Sequence, residues 1–335
     1  MLLKELSNAC GIAGYEDDVR DLIKSELPSY ETDILGNLVS CEKGGDLKIM
    51  LAAHMDEVGL VVTDIDKEGY ISFKKVGGID DRVLPSKRVI IGRNKVRGVI
   101  GSKPIHLLKK EEMKKVVECD KLCIDIGAES KEEAEKLVSI GDPVYFDTTF
   151  KENNKRFIGK ALDDRVGCSL ILDMLKEDFS FTLYGAFTVQ EEIGLRGAQV
   201  VAYDIEPDIC IVLEGTFASD TPDVKKQLRM PQFGKGPAIT FADRSIICDP
   251  ALVRFIKKTA ERKEIPYQIK RPFTGGTDAG AIHLTKRGVP SGVIALPSRY
   301  IHAPVSIGCK KDYDNMKKLV YRVLKGIDNG DLYGN

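Results

Sequence analysis

No tryptophan occurs among the 335 residues, and aromatic side chains make up only 7%. Glycosidases usually build platforms for sugar rings from such side chains, so their scarcity argues against a carbohydrate-active enzyme. Excess charge of either sign is missing too. Lys plus Arg (50) nearly balances Asp plus Glu (51), which leaves no basic surface to favour nucleic acid or an anionic membrane. No apolar run approaches the length that spans a bilayer. The start, MLLKELSNACGIAGYEDDVRDLIKSEL, meets charge at Lys4 and lacks the apolar core of a secretory signal, so a cytoplasmic protein is expected. The eight cysteines are scattered; Cys119 and Cys123 are the only close pair, no zinc-finger spacing exists, and reduced thiols are expected. Internal repeats and low-complexity segments are also absent. What remains is an ordinary globular composition, 43% hydrophobic and 30% charged, suited to a small-molecule or peptide partner.

Several apolar runs end in chemistry. FTLYGAFTVQEE closes on Glu191 and Glu192, LKIMLAAHMDE reaches His54 with Asp56 two residues on, DICIVLEG ends in Glu214, and GVPSGVIALPSRYIHAP arrives at His302. Short aliphatic runs bounded by Gly and Pro read as buried parallel strands, and open α/β sheets bind ligands just beyond the carboxyl ends of such strands. His54, Glu192, Glu214 and His302 are thus expected on one rim. GKALDDRVGCSLILDMLKED adds Asp163 and Asp164 at the start of an amphipathic stretch, where an aspartate makes a good helix cap. Two histidines and three carboxylates form a hard N/O ligand set that suits two zinc, cobalt or manganese ions better than calcium. A bridged pair of such ions holds a hydroxide and polarises a carbonyl. Asp56 is expected to orient the His54 ring. Adjacent glutamates face different ways, so one can bind metal while the other handles protons; the residues alone leave open which does which.

A chain of this length suggests about two domains. After His54 the pattern changes to short alternating segments, EVGLVVTDID, GYISFKKVGG, KRVIIGRN and KVRGVIGSK, which read as a small β barrel or sandwich. KKEEMKKVVECD and SKEEAEKLVSI are expected as helices, and GDPVYFDTTF and RFIGKALDDR as the return to the main sheet. The reading is an α/β catalytic domain made of residues 1–65 and 153–335, interrupted by a β-rich insertion over residues 66–152. His106 lies in the insertion and His283 in a helical pattern; both are read as structural. Gly275, Gly276, Thr277 and Asp278 form a turn before a helix, whose amides could face a substrate carbonyl.

With AAHMDEVGL, GVIGSKPIHL, GKALDDRVG, TVQEEIGLRGA, TGGTDAGAIHLTKRGVPS and RYIHAP in order, essentially the whole chain resembles the co-catalytic metallo-aminopeptidases. These include tetrahedral and glutamyl aminopeptidases and proteins labelled endoglucanase M. The resemblance implies a zinc-peptidase-like α/β/α catalytic domain with a PDZ-like or barrel-like insert that makes dimers, assembled into a tetrahedral dodecamer. It implies that His54 and Glu192 bind separate metals, that Asp163 bridges them, that Glu214 and His302 complete the set, and that Glu191 is the general base. Many relatives carry aspartate where this chain has Glu214. The resemblance also favours Gly276, Thr277 and Asp278 as lining the active site. The function it implies is removal of N-terminal residues from short peptides with a free amino terminus. A metal-dependent deacylase or deacetylase would use the same site, and an endoglucanase is the third reading.

Overall fold

In the computed structural model, which describes residues 2–271 and 274–332, the apolar runs become strands of one eight-stranded sheet. Its order is Glu31–Thr32, Leu38–Glu42, Phe181–Thr188, Gly45–His54, Ile209–Phe217, Ser291–Ser298, Ala238–Thr240 and Gln268–Lys270. The four strands at its centre run parallel. Alternation along the His54 strand explains why it has no polar alternation in sequence. Ile49, Leu51 and Ala53 pack on one side with Leu162, Val166 and Leu170 of the helix Leu162–Met174. Met50 and Ala52 pack on the other with Ala198, Val201 and Ala202 of the helix Arg196–Ile205. A sheet covered by helices on both faces needs apolar residues at every position.

The four alternating segments and two later ones close a six-stranded barrel: Gly59–Ile65, Ile71–Val76, Cys123–Asp125, Val96–Gly101, Arg88–Ile91 and Pro143–Phe146. It has its own core, including Leu60, Val62, Phe73, Val89, Ile100 and Phe146. The expected boundary at residue 66 falls just after its first strand and so leaves that strand outside the insertion. Gly59–Ile65 pairs with Ile71–Val76 and Pro143–Phe146, and Leu60, Val62 and Ile65 point into the barrel, so the insertion begins at Gly59. Only Met55–Val58 separate it from His54.

Two further expectations change. Pro143–Phe146 closes the barrel, and Arg156–Gly159 pairs with Lys151–Glu152 and Ser306–Cys309 in a separate three-stranded sheet, so neither returns to the main sheet. The pairing depends on Gly308, where an added Cβ would lie 2.0 Å from the Phe157 ring. KKEEMKKVVECD forms only short 3₁₀ turns at Glu112–Lys114 and Cys119–Lys121. Its side chains are mostly exposed, and an isolated helix of that length is marginal without a packed apolar face. SKEEAEKLVSI does form a helix, Lys131–Glu135, which buries Ala134 and is capped by the Ser130 hydroxyl accepting from the Glu133 amide at 3.3 Å. No helix among the described residues is long and apolar enough to cross a membrane.

Candidate active site

The sheet delivers its polar residues to one end. His54 is the last residue of its strand, and Glu191 and Glu192 follow just past Thr188, the end of the neighbouring strand. Glu214 lies inside the strand Ile209–Phe217, and His302 lies in the connection after Ser298. Asp163 and Asp164 precede the regular part of their helix, with non-helical backbone at φ −86°, ψ 105° and φ −126°, ψ 44°. The cap falls to Asp164, whose Oδ1 accepts from the Gly167 amide at 3.0 Å. Asp163 turns instead to the sheet, where the Gly215 amide donates to its Oδ1 at 3.3 Å. Any side chain at Gly215 would block this approach, since its Cβ would lie 2.7–2.8 Å from Asp163.

Two groups of candidate metal ligands result, and they share a residue. Donor atoms of His54, Asp163 and Glu214 lie within 4.8 Å of one another, as do those of Asp163, Glu192 and His302. The Asp163 carboxylate faces both ways: Oδ1 is 3.4 Å from His54 Nε2 and Oδ2 is 3.5 Å from His302 Nε2. Glu192 Oε1 is 3.5 Å from His302 Nε2, and Glu214 Oε1 is 4.0 Å from His54 Nε2, so the longer side chain at 214 reaches the group. Glu191 belongs to neither group, although its Oε2 lies 4.0 Å from His54 Nε2. Each histidine is oriented from behind. His54 Nδ1 donates to the Asp56 carbonyl oxygen at 3.0 Å and His302 Nδ1 to the Gly78 carbonyl oxygen at 3.1 Å, which points both Nε2 atoms inward.

Asp56 has a larger part than the one read from sequence. Its carbonyl, not its carboxylate, makes the close contact with the His54 ring, and the carboxylate lies 3.5 Å from Nδ1. That carboxylate accepts the amides of both glutamates, Glu191 N on Oδ1 and Glu192 N on Oδ2, each at 3.0 Å. One buried side chain thereby sets the direction of the whole pair. The turn at residues 275–278 is divided. Gly275, Gly276 and Thr277 line a cavity of about 1000 Å³ that also borders Asp163, Glu191, Glu192, Glu214 and His302. Asp278 is buried behind, accepting from Thr188 Oγ1 at 2.5 Å, and its Oδ1 has no partner. The helix that follows, Ala279–Ile282, is only one turn long. His283 donates from Nδ1 to the Ala279 carbonyl at 2.9 Å, and His106 is exposed on the insertion.

Electrostatics set the demand for a cation. Burial pushes Glu191 and Glu214 well above the usual carboxylate range and Glu192 to about 7. Burial acts on Asp163 in the same direction, yet hydrogen bonds to His302 and His54 hold it below its ordinary value. Burial pulls His302 down, but Asp163 and Glu192 outweigh it and raise the imidazole to about 9. Glu214 Oε2 is buried without a partner. Negative charge thus exceeds what the two imidazoles offset, and carboxylates are tolerated in such a place when they coordinate metal. The donor set, the inward Nε2 atoms and the orphaned oxygen fit divalent cations.

A buried charge cluster escaped the sequence reading. Lys160 Nζ bonds Glu57 Oε1 and donates to the Ala9 carbonyl at 2.7 Å. Arg165 donates to the carbonyls of Leu6 (2.5 Å), Met55 (2.9 Å), Ala9 (3.2 Å) and Gly11 (3.3 Å), and lies 3.5 Å from Glu57. It ties the segment after His54 to the N-terminal helix and to the start of the Asp163 helix. Its only signal in sequence is adjacency to the motifs HMDE and GKALDDR.

Residues 36–319 match the sequence profile of the M42 glutamyl aminopeptidases. A putative aminopeptidase of Acetivibrio thermocellus is 40% identical over 329 residues, covering 96% of this chain and 97% of its own. Among solved structures, the TET aminopeptidase of a marine sediment Thaumarchaeota archaeon superposes with a TM-score of 0.95 at 38% identity, covering 99% of this chain and 97% of that one. The TET1 peptidase of Pyrococcus horikoshii, which can assemble into a tetrahedron or a large octahedral shell, gives 0.85 at 37%, covering 96% and 98%.

Proposed function

We propose, because the chain belongs to the M42 glutamyl aminopeptidase family and is a peptide-bond hydrolase, that it removes single residues from the free amino termini of short peptides using two divalent metal ions. The observation that carries this reading is the sharing of Asp163 between two ligand groups, with Glu191 left outside both. His54, Asp163 and Glu214 would hold one ion, and Asp163, Glu192 and His302 the other; zinc suits the mixed donors best, with cobalt or manganese as fitting substitutes. When bound, such a pair supplies an acidified water and a Lewis-acid grip on the peptide carbonyl.

The chain's own residues supply the rest. Glu191 accepts the proton of the attacking water and returns it to the leaving amine, a role favoured by burial that makes its protonated form accessible. Asp56 holds the Glu191 amide so that the carboxylate keeps its direction while its proton comes and goes. Gly276 and Thr277 wall the cavity beside it. The acidic end of the cavity favours a free amine, which makes the enzyme an exopeptidase. An N-acetylated tetrapeptide should therefore be inert while the unblocked peptide is trimmed residue by residue, followed by mass spectrometry. Internal cleavage of the blocked peptide would refute the aminopeptidase reading, and release of acetate would assign the site to a deacetylase.

The assembly we propose is a tetrahedral dodecamer built from dimers, with the barrel as the docking element. Ile105 (72% exposed) and Leu107 (58%) stand out on the barrel insertion with Met113 and Val116, apolar side chains that a docked partner would cover. Light scattering should give twelve times the 37.0 kDa chain, and an Ile105→Asp/Leu107→Asp variant should give a smaller species. A parent mass of one chain, or no change in the variant, would remove this proposal.

A further inference from the structure

Beyond Thr188 the chain leaves the sheet, so the amides of residues 189–192 lose their ladder partners and need others. Side chains from three separate parts of the chain supply them. The Val189 amide donates to Asn37 Oδ1 at 3.0 Å, the Gln190 amide to Glu16 Oε1 at 3.2 Å, and the amides of Glu191 and Glu192 to the two Asp56 oxygens. All three acceptors are buried, Glu16 with only 2% exposed. Gln190 is where the chain reverses. Its φ of 57° is left-handed, which is uncommon for a residue with a side chain and persists only where the surroundings hold it.

Glu16 reaches that amide from a fixed base. Its Oε1 also accepts from the Gly14 amide at 2.8 Å, which closes its own segment. Tyr15 donates from its hydroxyl to the Gly141 carbonyl of the barrel insertion at 2.7 Å, and Asp18 meets Lys95 of the same insertion at 3.0 Å. At the root of the segment the Gly11 amide donates to Glu57 Oε1 at 3.2 Å, beside Arg165. Burial raises the Glu16 carboxyl to about 7, so its uncharged form is common near neutrality, and Oε1 accepts in either form.

We infer that Glu16, which does not line the cavity, is a positioning residue: it holds Gln190 in the reversed conformation and thereby sets the direction of both Glu191 and Glu192. The inference rests on the aminopeptidase reading. What it requires at residue 16 is an oxygen at the reach of a glutamate side chain, and not a charge.

Three substitutions separate reach from charge. Glu16→Gln keeps Oε1 without the charge, Glu16→Asp keeps the charge and draws the oxygen back by one carbon–carbon bond, and Glu16→Met removes the acceptor. With the full-length, zinc-saturated protein and the unblocked tetrapeptide, kcat of Glu16→Gln should stay near the parent's. Glu16→Asp and Glu16→Met should lose about 10–100-fold in kcat with KM little changed, the effect of displacing a catalytic group by about 1 Å. Glu192 rides on the same turn, so zinc titration of the metal-free Glu16→Asp protein should show one of two equivalents weakened and the other at the parent's affinity. Circular dichroism of each variant gives the folded fraction, and kcat is taken per folded chain. Glu16→Asp at the parent's kcat, or Glu16→Gln as slow as Glu16→Asp, overturns the inference and leaves the aminopeptidase reading intact. So does a loss that disappears per folded chain, an unchanged zinc affinity, or an equal weakening of both equivalents. A parent inert on every free peptide removes both.

Discussion

Glu191→Gln should yield a folded protein that still binds two equivalents of metal but hydrolyses peptides about 10²–10⁴-fold more slowly, the usual worth of a positioned general base. The substitution keeps shape and volume and removes only the ability to accept a proton. Nothing in the two ligand groups is touched, since Glu191 belongs to neither. Its backbone stays anchored, because the Asp56 carboxylate binds the amide at residue 191 and not the side chain. The loss should fall on kcat, with KM and metal content close to the parent's. His54→Ala is the contrasting variant and should lose metal. Equal metal loss in both, measured by elemental analysis, would exchange the roles proposed for the two glutamates.

Asp163→Ala should have the largest effect on metal content. Both ligand groups contain Asp163, with its two oxygens directed to different histidines, so the variant should lose both equivalents and fall to background activity. Glu214→Ala and His302→Ala each touch one group and should lose about one equivalent. The helix cap is supplied by Asp164, so the variant keeps its helix start. One equivalent retained by Asp163→Ala would mean that the groups do not share it.

Much of this was legible in sequence because burial on both faces of a sheet forces an unbroken apolar run, and a polar residue closing such a run stands out. His54 and the pair at 191 and 192 follow that rule, and the structure brings them together with Asp163, Glu214 and His302. Features that depend on direction were not legible. Whether Asp56 uses its carbonyl or its carboxylate toward His54 is decided by the turn after the strand, which leaves no mark in composition. The barrel's start at Gly59 is set by the pairing of its first strand with Ile71–Val76 and Pro143–Phe146, and an alternating run does not name its partners. Lys160, Arg165 and Lys270 escaped because charged residues read as surface, and only contacts reveal that these are buried. KKEEMKKVVECD failed for the opposite reason: helix-forming residues without a face to bury do not make a lasting helix.

The ligand candidates are spread along the chain from residue 54 to residue 302, with the whole barrel between the first and the second. No contiguous fragment gathers them, so the site exists only once the central strands have paired and the barrel has been looped out. Ions held by the two proposed groups would therefore bind the finished fold in preference to anything before it. By linkage they stabilise the native state by RT ln(1 + [ion]/Kd), so each tenfold rise in free metal above its dissociation constant adds roughly 1.4 kcal/mol per site. On the proposed site, metal supply would set the equilibrium stability of the folded chain as well as its turnover.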